Sequence, residues 1–72
     1  MTVQDLNTLV GQNVRRYREL KRLTKRELAK KMGVSDPSIT NIENGRQYPS
    51  GTMILLLAQA LEVKVSQLYE AA

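Results

Sequence analysis

The 72-residue sequence contains no cysteine and no histidine. Without cysteine there is no disulfide and no thiolate metal site. Without histidine the chain lacks the usual general base and the commonest metal ligand. The acidic residues include no closely spaced carboxylate pair, and the four glycines are isolated rather than gathered into a phosphate loop. No constellation for an enzyme site remains, and neither cofactor nor metal is expected. Long apolar runs are missing too. The longest, Met53 to Ala58, is far too short to span a bilayer. No window resembles a signal peptide, so a cytoplasmic chain with no membrane role is the expectation. Strand-like alternation, internal repeats and low complexity are also absent. A chain of this length has room for one small core, so residues 1–72 are expected to form a single all-α domain. Helix packing or dimerisation must supply the stability that staples would otherwise give.

What is present is positive charge, unevenly placed. Between Arg15 and Lys31 lie nine of the eleven cations and two of the seven acids, a net +7 that leaves −3 for the remainder. Such a segment suits a protein that meets phosphates. Charge alone equally describes a solvated helix.

The stretch Thr24 to Gly45, TKRELAKKMGVSDPSITNIENG, organises the chain. Thr24 and Glu27 have capping-box spacing, in which the hydroxyl and the carboxylate each take one orphan N–H of a helix start. Leu28, Ala29 and Met32 give that helix an apolar stripe. Gly33 ends it, because glycine takes the left-handed conformation without a steric penalty. Ser35 is a candidate N-cap for the next helix, and Val34 with Ile39 has the spacing of a hydrophobic staple. Pro37 fits its first turn, Ile39 and Ile42 form its inner face, and Asn44-Gly45 is its exit. Two short helices around a glycine turn make a helix-turn-helix pattern over residues 24–43.

The first helix is expected from about Asp5 to Arg22, with Val3, Leu6, Val10, Val14, Tyr17 and Leu20 recurring on one face. Thr2, Asp5 and Asn7 are each possible caps. Gly11 within it points to a close helix–helix approach. After the polar loop Arg46 to Pro49, Ser50 is placed to cap a fourth helix, Gly51 to Leu61, which is apolar nearly all round. A last short helix is expected from Val65 to about Ala71, making five.

These residues resemble the phage repressor and Cro type of helix-turn-helix, the XRE-like family. The resemblance runs from Val10-Gly11-Gln12 and Tyr17-Arg18 through Glu27-Leu28-Ala29, Met32-Gly33-Val34-Ser35, Ser38-Ile39 and Ile42-Glu43-Asn44-Gly45. It continues in Pro49-Ser50, Leu57-Ala58 and Ala60-Leu61, covering about Leu9 to Tyr69 without gaps. It implies a five-helix, lambda-repressor-like DNA-binding domain whose third helix, about Asp36 to Asn44, enters the major groove.

The resemblance places Asp36, Pro37, Ser38, Thr40 and Asn41 at base edges. Asn41 has the amide to pair with adenine N6 and N7, while Asp36 either serves the helix dipole or accepts from cytosine N4. Thr24, Lys25, Arg26, Asn44, Arg46 and Tyr48 are the expected phosphate contacts. Thr24 is expected to bring free N–H groups to a phosphate at the second helix's N-terminus. Arg18 and Glu43 match a partly buried ion pair tying the first helix to the third. Two departures stand out. Glu62 replaces a helix-ending Gly and Lys64 replaces a Ser cap, so the last join is expected to be less tightly fixed. Leu56, expected to be exposed, is with Met53 and Tyr69 a candidate homodimer contact; the alternative is that Leu56 fills the core.

The function expected from the resemblance is a sequence-specific transcriptional regulator of the repressor type, binding double-stranded DNA as a homodimer on a pseudo-palindromic operator. The competing expectation is an interaction module that acts with a protein partner, such as a DNA-binding antitoxin or a restriction-modification controller subunit.

Overall fold

The computed structural model describes residues 1–71. Four α-helices, α1 Val3–Leu20, α2 Lys25–Met32, α3 Asp36–Glu43 and α4 Gly51–Leu61, are followed by a 3-10 segment, Val65–Tyr69. The expected fifth α-helix is therefore corrected to a single 3-10 segment. Lys64 has no side-chain acceptor to cap it, and the Gln67 carboxamide instead accepts from the Lys64 N–H at 2.8 Å. At the other end Glu70 is already extended. Asn13 of α1 holds that end down, its amide donating to the Leu68 and Glu70 carbonyls at 2.8 Å each. Five residues pinned at both ends leave no room for a run of i→i+4 bonds.

Thr2 starts α1, accepting from the Asp5 N–H while its own N–H donates to the Asp5 carboxylate. The helix stops at Leu20, two residues before the expected end, because Arg22 adopts a left-handed conformation at φ 57°. All four helices close the same way. The N–H groups of Leu23, Val34, Arg46 and Val63 donate to the carbonyls of Arg18, Ala29, Asn41 and Ala58 at 2.9–3.1 Å. The residue before each donor (Arg22, Gly33, Gly45, Glu62) has positive φ. This is the 6→1 helix closure that satisfies orphan carbonyls. The Glu62 join is thus fixed like the glycine ones, and Lys21 Nζ adds an ion pair to Glu62 at 2.7 Å.

Val10 and Val14 of α1, Leu28 of α2, Ile39 and Ile42 of α3, Leu57 and Leu61 of α4, and Leu68 are fully buried in one core. Val3 and Leu20, read as part of the apolar face of α1, are exposed at its two ends, beyond the reach of the other helices. Gly11 marks where α1 meets α3: a Cβ there would lie 2.4 Å from the Ile42 carbonyl oxygen and 2.7 Å from that of Glu43. Only a bare Cα allows this approach.

Candidate nucleic-acid interface

The capping box at the start of α2 forms as the sequence indicates. Thr24 Oγ1 accepts from the Glu27 N–H at 3.0 Å, and Glu27 Oε1 accepts from the Thr24 N–H at 2.8 Å. The Thr24 N–H donation holds the Glu27 carboxyl below its ordinary range. Glu27 takes the Thr24 N–H, as the capping-box spacing requires, so that group is not offered to a phosphate. The backbone N–H groups that an α-helix start leaves over are then those of Lys25 and Arg26.

α3 begins at Ser35, whose hydroxyl accepts from the Ser38 N–H at 3.4 Å and lies 2.9 Å from the Ser38 hydroxyl. With Ile39 and Ile42 buried, the opposite side of α3 faces solvent. Asp36, Pro37 and Asn44 are exposed there, and Ser38, Thr40 and Asn41 are half-buried. The five base-contact residues predicted from sequence therefore share the open side of one two-turn helix. Among the described residues the Asn41 and Thr40 side chains make no hydrogen bond within the protein, so their polar atoms are available to a ligand. Ser38 is engaged with its cap.

Two long-range bonds aim this helix. Arg18 and Glu43 form a two-pronged ion pair, Nε to Oε2 at 2.7 Å and Nη2 to Oε1 at 3.1 Å. Their side chains are only 10% and 2% exposed. Arg18 Nη1 also donates to the Leu23 carbonyl at 2.8 Å, tying in the link to α2. Bonding to Glu43 raises the Arg18 guanidinium above its ordinary value, so the charge is permanent. Nearer the start of α1, Gln4 Nε2 donates to the Gly45 carbonyl at 3.1 Å, holding the loop that follows α3. Sequence reasoning missed Gln4 and Asn13. Asn13 carried a signal, since a polar residue between Val10 and Val14 lies beside the buried face; Gln4 carried none.

The predicted phosphate residues lie at the start of α2 and after α3, so they flank α3 along the chain. Lys25 is half-buried and Arg26 exposed at the start of α2; Asn44, Arg46 and Tyr48 are exposed in the loop after α3. Arg26 also faces Asp36 across the turn at 3.8 Å. Burial first, then the Tyr48 phenol, raises the Tyr69 hydroxyl above its ordinary value. Of the dimer candidates, Leu56 and Met53 are half-buried and packed against the core, which corrects the expected exposure of Leu56. Leu55 is instead the exposed leucine of α4, at 58%, with Tyr69 at 36%. No helix among the described residues is long and apolar enough to cross a membrane.

Residues 14–68 match the helix-turn-helix family HTH_3. The chain belongs to this family. Two HTH-type transcriptional regulators of uncharacterised role are similar in sequence. One, from Sinorhizobium fredii, is 39% identical over 59 residues, covering 82% of this chain and 77% of that protein. The other, from Mycobacterium tuberculosis, is 36% identical over 62 residues, covering 86% of this chain. The chain spans only 44% of that mycobacterial relative. Among solved structures, the restriction-modification controller protein C.AhdI from Aeromonas hydrophila superposes with a TM-score of 0.84 at 30% identity. That match covers 88% of this chain and 96% of the controller. The clp gene regulator ClgR from Corynebacterium glutamicum superposes at 0.83 with 30% identity, covering 88% and 82%. The HTH_3 chain thus shares its helix-turn-helix with proteins named as transcriptional regulators.

Proposed function

We propose that this chain is a transcriptional repressor that reads an operator in the major groove with the open face of α3. One observation carries the proposal: Asn41, whose side chain bonds to nothing among the described residues, stands on the open face of α3, which Arg26 of α2 borders at Asp36. Asn41 reads adenine through N6 and N7, with Thr40, Ser38, Asp36 and Pro37 lining the same groove. Lys25, Arg26, Asn44 and Arg46 grip the phosphates, joined by the hydroxyls of Thr24 and Tyr48. In this reading the protein works in the cytoplasm. The test is the salt dependence of binding to DNA. Log affinity falls by about 0.9 per decade of salt for each phosphate neutralised, so several contacts give a steep line. A flat line contradicts the proposal.

The chain acts as a homodimer on two half-sites about one helical turn, ~34 Å, apart. Leu55 and Tyr69 offer exposed apolar area for that contact, with half-buried Met53 and Leu56 on the same helix as Leu55. A second reading, a controller subunit acting with a protein partner, is favoured by the near-complete overlap with C.AhdI. That protein's name gives it a restriction-modification role.

A further inference from the structure

We propose that Arg26 and Asp36 form one composite reader of a C·G base pair. The inference rests on the DNA-binding reading above and adds the base that this end of α3 selects. The first turn of α3 offers few other groups. Pro37 has no polar side-chain atom, and the Ser38 hydroxyl is engaged with Ser35 at 2.9 Å. Asp36 is left as the free polar side chain of that turn, 52% exposed, and Arg26 reaches it from α2 with Nε 3.8 Å from Oδ2. At that distance the two groups attract but are not hydrogen-bonded, so each keeps its full bonding capacity. A carboxylate only accepts and a guanidinium only donates. The pair therefore shows the groove one acceptor beside one donor.

The major-groove edges differ in how well they match this. A C·G pair shows the cytosine N4 donor next to the guanine O6 and N7 acceptors. Asp36 takes the N4–H, and Arg26, assigned above to the phosphates, gives instead to the guanine. In an A·T pair the adenine N6 donor lies between two acceptors, N7 and the thymine O4, and a carboxylate there faces repulsion on both sides. Arg26 also answers an electrostatic problem. A lone carboxylate at the groove is repelled by the phosphates, whereas a paired one is locally neutral.

The test selects bound sites from a random DNA pool with the wild-type chain, Asp36→Ala, Arg26→Ala and the double variant. Helicity confirms that each is folded, and with Arg26 88% exposed its variant keeps the fold. The wild type is expected to select a C·G pair at one position of each half-site. Each single variant should lose about tenfold in preference at that same position and keep the others. The double variant should lose no more than the worse single one. Unchanged preference in either single variant, or losses at two different base pairs, overturns the composite reader. A wild-type chain that selects no site at all overturns the DNA-reading proposal itself, a separate outcome.

Discussion

Arg18 and Glu43 join α1 to the last residue of α3, and their burial sets how much that joint matters. An exposed pair such as Arg15 and Glu19, 3.5 Å apart, is worth at most about 1 kcal/mol. Truncating one partner of the buried pair strands the other charge, so Glu43→Ala is expected to cost about 3–5 kcal/mol in urea unfolding. Replacing both with Met and Leu should recover most of that loss, because the penalty lies in the unpaired charge. Gly11 makes a second prediction at the same joint. Its Cβ would strike backbone oxygens of Ile42 and Glu43, which cannot rotate away. Gly11→Ala must push α3 outward, with about 1–3 kcal/mol lost in the same unfolding experiment and weaker DNA binding.

The helices are built from local chemistry at their ends, and that chemistry was legible in the sequence. The Thr24–Glu27 box, the Ser35 and Ser50 caps and the Gly33 and Gly45 exits depend on residues three or four apart, so spacing alone identifies them. The left-handed conformation of Arg22 and Glu62 was not legible, since nothing in a basic or acidic side chain announces φ 57°. A left-handed residue with a Cβ costs about 1–2 kcal/mol. Arg22→Gly is therefore expected to raise the melting temperature, by an amount trimmed by the entropy of glycine. Glu62→Gly should gain less, because it also gives up Lys21. The caps carry a pH signature. The Thr24 N–H holds Glu27 low and the Lys21 ammonium holds Glu62 low. A carboxyl with a lowered folded-state pKa contributes stability above its unfolded value and loses it as pH falls through the folded value. The stability difference between wild type and Glu27→Gln should thus be level near neutrality and shrink below about pH 4.5. The last segment was legible as a short helix from Val65, but its 3-10 form was not, because Asn13, more than fifty residues away, shapes it. Leu55 escaped because α4 is apolar all round, and only its docking decides which leucine faces out.

Over the whole molecule, the residues offered to DNA come from α2, α3 and the following loop, whereas Leu55 lies on α4 and Tyr69 on the 3-10 segment. Leu55→Lys is expected to halve the sedimenting mass at micromolar concentration while helicity stays unchanged; an unaltered mass would remove Leu55 from the contact. The placement of the reading residues on one face followed from helical periodicity around Ile39 and Ile42. The pairing of Arg26 with Asp36 needed the folded chain, because it joins separate elements. The central claim is that the open side of α3 meets the DNA. Its most direct test is titration of the isotopically labelled chain with the selected duplex, followed by amide and side-chain chemical shifts. The account predicts the largest changes at Lys25, Arg26, Asp36 to Asn41, Asn44 and Arg46, with the Asn41 side-chain amide among the strongest. Changes concentrated on α4 or the outer side of α1, with α3 unmoved, would contradict it.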